Sequence, residues 1–457
     1  MANPYLPSWE YVPDGEPRVF GDRVYVYGSH DRVDCDSFCD FKLKVWSAPI
    51  SNPSQWVCHG DAFRSMPAKG ENWGKKKEDS GIHDTGERRL ADVDWSDHEL
   101  YAPDVVEKDG KYYLYAYVVN AKGCVAVSDR PEGPFQLLSR YKYQIPDHYD
   151  KGTFIDPGVL VDDDGRVFIY CGFERSYMCE INGENMYEVL DGTYQLDVIP
   201  MGEEEHHFFE ACSPRKVGDT YYLIYSPKMG SRLVYATSDS PTGPFHYRGV
   251  IVDNGVDYPG GNNHGSICQI GGQWYIFYHR MTNGTCMSRR GCVERIEILP
   301  DGTIPQVEMT SLGFEESLNP YEITLADSAC VLKGGAIITE LDAFTRIVTN
   351  VTKDCVMGWK YFDFGEDYTG DAMLFMAKVM PRGCHGMLHV CIDGTEPEHR
   401  IGSLEFQKDS SVIQGKVSLV TGRHAVYLVA EDGYTTWAKG DFAGRQLFDL
   451  VSFVFIK

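Results

Sequence analysis

Five polar residues stand in short apolar or turn settings: Asp14 in VPDGEP, Asp104 in YAPDVV, Asp156 in FIDPGV, Glu210 in FFEACS and His264 in NNHGSI. Glu210, between two Phe residues and Ala-Cys, has the least reason to be a solvated loop residue. Brought together, such a set suits hydrolysis of a glycosidic bond. One carboxylic acid protonates the leaving oxygen while a carboxylate acts on the opposite face of the sugar. Clustered carboxylates also raise one another's pKa, which keeps an acid protonated near neutral pH, and a third carboxylate can do that tuning without touching the reaction centre. Taken singly, an Asp beside Gly or Pro is a turn residue. Only convergence would make the five a site.

The elements that could bring them together recur along the chain. Each polar residue precedes, by 9 to 12 positions, the central aromatic of a strand that follows a Gly or Asp turn. These strands are GDRVYVYGS from Gly21, DGKYYLYAY from Asp109, DGRVFIYCG from Asp164, GDTYYLIYS from Gly218 and GGQWYIFYH from Gly271. The last four start 53 to 55 residues apart, the range of a four-stranded propeller blade. A second repeat supports the first: SDRPEGPF (Ser128–Phe135) and SDSPTGPF (Ser238–Phe245) are near copies. With no extended alternation of helix and strand, a parallel α/β fold is disfavoured, and the chain reads as all-β, a five-bladed β-propeller over residues 1–320. Equivalent positions of propeller blades share one radius and height, so the five polar residues form a ring at the mouth of the central channel. The longer first interval holds a polar insertion around Lys69–Gly86. Trp73 and Trp95, within that interval, are candidates to stack on a sugar, with buried packing equally consistent.

After LPDGTIPQV the blade pattern stops, and residues 321–457 carry alternating segments such as AMLFMAKVM, HAVYLVA and LFDLVSFVFIK. They predict a two-sheet β-sandwich. Composition narrows the partners. A net charge of −24 argues against nucleic acid, which needs a basic face, and fits a neutral oligosaccharide. No apolar run approaches the roughly 20 residues that span a bilayer. The opening MANPYLPSWE lacks a basic and then apolar leader, which points to the cytoplasm, and the 14 cysteines then read as buried thiols rather than disulfides. Glu203–Glu205 with His206 and His207 have metal-like composition but no single-face spacing, and read as a solvated loop.

The motifs carry a specific resemblance. From Asn3 to Pro305 the chain resembles glycoside hydrolase family 43, inverting arabinofuranosidases and xylosidases on a five-bladed propeller. The resemblance implies a general base at Asp14, with Glu16 in the following Glu-Pro as the rival register. IDPGVLVDDDGRVFIYCG implies that Asp156 tunes the acid, and FEACSPRKVGDTYYLIYS that Glu210 is the acid. By the same likeness Asp104 is a candidate sugar contact, Trp95 and Arg280 are further candidates to reach the substrate, and His264 would help hold a calcium ion, largely through water. The part from Trp359 onward resembles a family 6 carbohydrate-binding module, a jelly-roll sandwich, with Trp359, Tyr361 and Trp437 as candidate platforms. The expected activity is release of terminal α-L-arabinofuranosyl or β-D-xylosyl units. The rivals are a non-catalytic sugar-binding propeller and a retaining fructan-active enzyme.

Overall fold

The computed structural model describes residues 2–457 apart from 34, 66–98, 119–122, 144–151, 203–205, 368 and 435–443. Trp73, Trp95, Glu203–Glu205 and Trp437 lie outside the described residues. Among the described residues the regular elements are β-strands and two short 3-10 turns, and no helix is long and apolar enough to cross a membrane.

The strands up to residue 296 form five antiparallel sheets in chain order. The first holds β1 (Glu16–Phe20), β2 (Arg23–Gly28), β3 (Lys42–Pro49) and β4 (Val57–Arg64). The second holds β5 (Tyr101–Lys108), β6 (Lys111–Tyr117), β7 (Cys124–Ser128) and β8 (Gln136–Arg140). The third holds β9 (Gly158–Val161), β10 (Val167–Cys171), β11 (Tyr177–Ile181) and β12 (Gln195–Leu196). In the fourth are β13 (Phe208–Val217), β14 (Thr220–Pro227), β15 (Arg232–Ser238) and β16 (His246–Asp253). In the fifth are β17 (Ser266–Ile270), β18 (Gln273–Thr282) and β19 (Thr285–Ile296). Each aromatic strand read from the sequence is the second of its sheet.

Those strands are apolar on both faces because each sheet is covered on both sides. Tyr25 and Tyr27 pack toward the second sheet with Leu114 and Ala116, while Val24 and Val26 pack toward the fifth with Tyr275 and Phe277. The alternation repeats: Tyr115 joins Val167 and Ile169, and Phe168 and Tyr170 join Leu223 and Tyr225. Tyr222 and Ile224 join Ile276 and Tyr278. The first strands are neighbours too, β1 beside β5 and β17, and β9 beside β5 and β13. Ser213 of β13 donates to Ser266 of β17 at 2.6 Å, and Arg215 to the Ile267 carbonyl at 3.0 Å.

The two near-copy turns do one job twice. Each carries its fourth strand onto the preceding sheet: Phe135 N–H bonds the Ala62 carbonyl at 2.8 Å, and Phe245 N–H bonds that of Val198 at 2.7 Å. A tyrosine hydroxyl of the preceding sheet bonds each turn, Tyr27 to the Pro131 carbonyl and Tyr170 to that of Pro241.

Two larger sheets follow, built from β20 (Thr324–Leu325), β21 (Val331–Lys333), β22 (Ile337–Glu340), β23 (Arg346–Val351), β24 (Val356–Asp363), β25 (Ala372–Pro381), β26 (Gly386–Ile392), β27 (Arg400–Phe406), β28 (Val412–Ser418), β29 (Arg423–Asp432) and β30 (Phe448–Ile456). One runs β22-β23-β30-β25-β28 with β20 on β30, the other β21-β24-β29-β26-β27. Along β25, Met373, Phe375, Ala377 and Val379 are buried and alternate with more accessible residues, the signature of a sheet covered on one face. Their core is continuous with that of the fourth and fifth sheets. Trp359 is a correction to the reading of a platform: it is 0% exposed and packs edge-to-face on Phe453 at 4.7 Å. Tyr361 is covered by the Arg423 guanidinium, 4.4 Å from its ring centre.

Candidate active site

Four of the five polar residues, Asp14, Asp156, Glu210 and His264, meet in one small cavity of about 200 Å3, lined also by Phe38, Tyr101, Tyr117, Asn262 and Arg289. The backbone aims them by leaving regular geometry. Asp14 and Asp156, just before β1 and β9, lie in the left-handed region at φ 56° and 48°. Ala211, after Glu210, is at 70°, and the register of β13 against β14 slips on both sides of Glu210. Side chains other than glycine hold such conformations only where the surroundings impose them, and bulges re-aim side chains in this way. Gly158, two residues after Asp156, permits the close approach of β9 to β13: a Cβ there would lie 2.3 Å from the Cys212 carbonyl oxygen.

Asp14 is buried against positive charge. Arg289 of β19 donates to its Oδ1 at 2.9 Å, with His279 Nδ1 at 3.4 Å and His264 Nδ1 at 3.8 Å from the same oxygen. Burial alone would raise its pKa, but the charge on Arg289 above all, with a hydrogen bond from Ser29, brings it down to about 2. His279 is itself held neutral. Burial and the Arg289 charge take it to about 3, so its Nδ1 accepts the Asp14 N–H at 3.3 Å while Nε2 donates to the Asn262 carbonyl at 3.1 Å.

The other two carboxyls go the opposite way. Glu210 is pushed up to about 7 by burial and then by the charge on Asp14, against the pull of Arg289. Asp156 is raised well above the usual carboxylate range by burial, then by Glu210 and Asp14. Together the pair keeps a proton at neutral pH while Asp14 is ionised, which separates an acid from a base within one pocket.

Asp104 and Arg280 do not join the pocket. Asp104 is 0% exposed and accepts two hydrogen bonds from Arg18, at 3.0 and 2.6 Å, and one from the Val159 N–H at 2.7 Å. Glu16, the rival base, accepts from Arg215 at 2.7 Å and lies outside the pocket lining. Arg280 is a correction: strand alternation turns it away from His279, and it donates to the Asn3 and Asp327 carbonyls under the C-terminal sheets. Trp95 lies outside the described residues.

Sequence reasoning passed over Arg289, His279 and Asp31. Asp31 is buried and binds Arg289 through three contacts of 2.9 Å, two from the guanidinium and one from its backbone N–H. The signals were His279 beside Arg280 in FYHR and Arg289 in SRRG, since alternation must send one residue of each adjacent pair to each face.

Calcium takes six to eight oxygen ligands. Near His264 the nearest carboxylate oxygens belong to Asp14, held by Arg289, and to Asp156, 4.0 Å from Nδ1. Among the described residues no group of three or more His, Cys, Asp or Glu is arranged to grip an ion. The residues present do not form a direct calcium site, and the chemistry below uses none.

A pocket that holds ionised and protonated carboxyls side by side has the acid and the base that a general acid–base enzyme needs. The model of glycosyl hydrolases family 43 matches residues 84–304. A xylosidase/arabinosidase of Thermoclostridium stercorarium is 36% identical over 481 residues, covering 93% of this chain and 95% of that protein. A β-xylosidase of Xylanibacter ruminicola is 29% identical over 355 residues, 67% of this chain and 100% of the relative. Among solved structures, a family 43 β-xylosidase/α-arabinofuranosidase from a compost microbial metagenome, in complex with xylotriose, is similar with TM-score 0.53 and 27% identity, covering 67% of this chain and 97% of that one. An arabinoxylan arabinofuranohydrolase from Bacillus subtilis shares the fold along 100% of this chain and 97% of its own, with TM-score 0.53 and 22% identity. This chain belongs to glycosyl hydrolases family 43 and is a glycoside hydrolase.

Proposed function

We propose that the protein removes terminal α-L-arabinofuranosyl or β-D-xylosyl units from plant-derived oligosaccharides in a single inverting step. Its named relatives include a xylosidase/arabinosidase and a β-xylosidase. The observation that carries the mechanism is the opposite displacement of two carboxyls lining one pocket, Asp14 to about 2 and Glu210 to about 7. Glu210 gives its proton to the leaving oxygen while Asp14 takes one from the attacking water, and Asp156 keeps Glu210 protonated until then. A cavity of about 200 Å3, smaller than the roughly 300–1,000 Å3 of drug-sized ligand sites, suits one terminal ring and so exo action.

In this reading the frame is a five-bladed propeller over residues 1–320, with the pocket at one mouth of its channel. The core layers between consecutive sheets, including one between the fifth and the first, favour it. Residues 321–457 form a β-sandwich of the family 6 module type. The burial of Trp359 and the covering of Tyr361 favour a packing role for it over sugar capture.

The test is hydrolysis of 4-nitrophenyl α-L-arabinofuranoside and β-D-xyloside by the wild type and Glu210→Ala. The wild type is expected to cleave at least one, and the variant to lose about 10²–10⁴-fold in kcat. NMR of the first-formed sugar is expected to show the inverted anomer. A retained anomer would sink the single-step mechanism, and a wild type inert toward both glycosides and toward xylo- and arabino-oligosaccharides would sink the substrate reading.

A further inference from the structure

We propose that the C-terminal hairpin β22–β23 braces the general base: Arg346 and Glu340 position Tyr11, and through it the segment that carries Asp14. The proposal rests on Asp14 being the base. Asp14 occupies a left-handed backbone conformation that its surroundings must impose, and it ends a short segment that begins at Tyr11. Tyr11 is 2% exposed. Its hydroxyl accepts from Arg346 Nε at 2.7 Å and donates to Glu340 at 3.1 Å, and the Arg346 guanidinium lies over its ring, 5.3 Å from the centre. Arg346 and Glu340 form an ion pair, and Arg346 also binds the Asp342 carbonyl of its own hairpin at 2.9 Å.

From Tyr11 the contacts run to the base by two routes. The Tyr11 carbonyl accepts the Asp31 N–H at 3.0 Å, Asp31 holds Arg289, and Arg289 holds Asp14. Along the chain, the Pro13 carbonyl packs so closely on Gly28 that a Cβ there would lie 2.4 Å away, which leaves the segment little room to shift on that side. The same hairpin also meets the turn between β18 and β19, the strands that carry His279 and Arg289. There Asn283 N–H bonds the Ile338 carbonyl at 2.7 Å. One hairpin of the C-terminal sheets therefore reaches both elements that hold Asp14.

None of these groups touches the pocket, so Tyr11, Glu340 and Arg346 are positioning residues. The test compares Tyr11→Phe, Arg346→Met, Arg346→Lys and Asp14→Ala in the full-length protein. Tyr11→Phe and Arg346→Met are expected to lower kcat roughly tenfold to a hundredfold, the cost of a base displaced by a fraction of an ångström to an ångström, with KM within about twofold. The acid limb of the pH–kcat profile moves upward as Asp14 slips from Arg289, and Arg346→Lys recovers part of the loss. If kcat and the acid limb stay at wild-type values in Tyr11→Phe, which removes one hydroxyl from an intact ring, the brace is overturned even should Arg346→Met fail to fold. A change in KM alone overturns it as well. An active Asp14→Ala removes the base reading and the brace with it, whereas an inactive Asp14→Ala beside wild-type-like Tyr11→Phe and Arg346→Met removes the brace alone.

Discussion

The pocket and a second buried cluster beside it, built on Glu16 of β1 and Asp104 of β5, differ in charge balance. At the pocket, Asp14, Asp31, Asp156 and Glu210 share the single guanidinium of Arg289, because burial lowers His264 and His279 toward the neutral form. Further along, Glu16 and Asp104 are matched by Arg215 and Arg18, one to one. Four carboxyls on one cation cannot all ionise at neutral pH without strong repulsion, so a proton stays. Two on two form buried ion pairs, which hold strands in place; burial and then the neighbouring Asp104 push Glu16 up against the pull of Arg215, but neither carboxyl lines the pocket where a substrate could take its proton. Surplus carboxyl, rather than burial or carboxyl alone, separates a reactive cluster from a structural one.

Removing Arg289 should break the contrast most severely. Arg289→Met leaves Asp14 and Asp31 buried with no guanidinium, and stripping one partner from a buried pair costs about 3–5 kcal/mol. If most of that falls on the transition state, kcat drops by about a thousandfold, and the acid limb rises because Asp14 loses the main group that lowers it. Steady-state kinetics across pH would show this; activity within tenfold of wild type with an unmoved limb would mean that Arg289 does not set the state of the base.

Asp156→Asn thins the surplus by one carboxyl. The remaining proton then sits on Glu210 with one negative neighbour fewer, so Glu210 ionises at lower pH. The alkaline limb of kcat, where activity is lost as the acid deprotonates, should move down, with kcat at its optimum reduced roughly tenfold to a hundredfold. An alkaline limb that stays put would take the tuning role from Asp156.

These contrasts show which parts of the site were legible. The aromatic strands stood out because sheets covered on both faces need apolar residues at every position, and the two near-copy turns because each docks on its neighbour through the same contacts. Asp14, Asp156 and Glu210 were found as polar residues in apolar settings. Asp104 had the same signature and a different fate. A register shift between Tyr101 and Asp104 leaves Tyr101 lining the pocket while Asp104 turns to Arg18, and a bulge has no period to read. For His279 and Arg280, alternation says that the neighbours part company but not which one faces the pocket. Arg289 and Asp31 were hidden for another reason: their partnership spans 258 positions, and only the returning fifth sheet makes them neighbours.

On the balanced side, Arg18→Met should cost stability and spare the chemistry. Asp104 would lose both of its guanidinium hydrogen bonds while keeping those from the backbone of Val105 and Val159, for a loss of about 2–4 kcal/mol, with Arg18 partly open to solvent. Denaturant unfolding should register it while kcat stays within about threefold. A collapse of kcat with stability intact would make the Glu16–Asp104 cluster part of the reactive one and remove the distinction.

The smallest effect reverses the usual direction of a mutation. Glu210 has its pKa raised from 4.5 to about 7 in the folded protein. Between those values the native state keeps a proton that the unfolded chain has released, so wild-type stability falls as pH rises through that window and the penalty is fully present above 7. The full shift corresponds to about 3 kcal/mol, and partial access of solvent to Glu210 reduces it to about 1–2 kcal/mol. Glu210→Gln resembles the protonated form at every pH and carries none of this cost; it also relieves Asp156 of a charged neighbour. The inactive variant should therefore match the wild type in urea unfolding at pH 4 and exceed it by about 1–2 kcal/mol at pH 8. An equal or lower stability at pH 8 would mean that Glu210 ionises without penalty, and a carboxyl that does so has no proton left to give a leaving group at neutral pH.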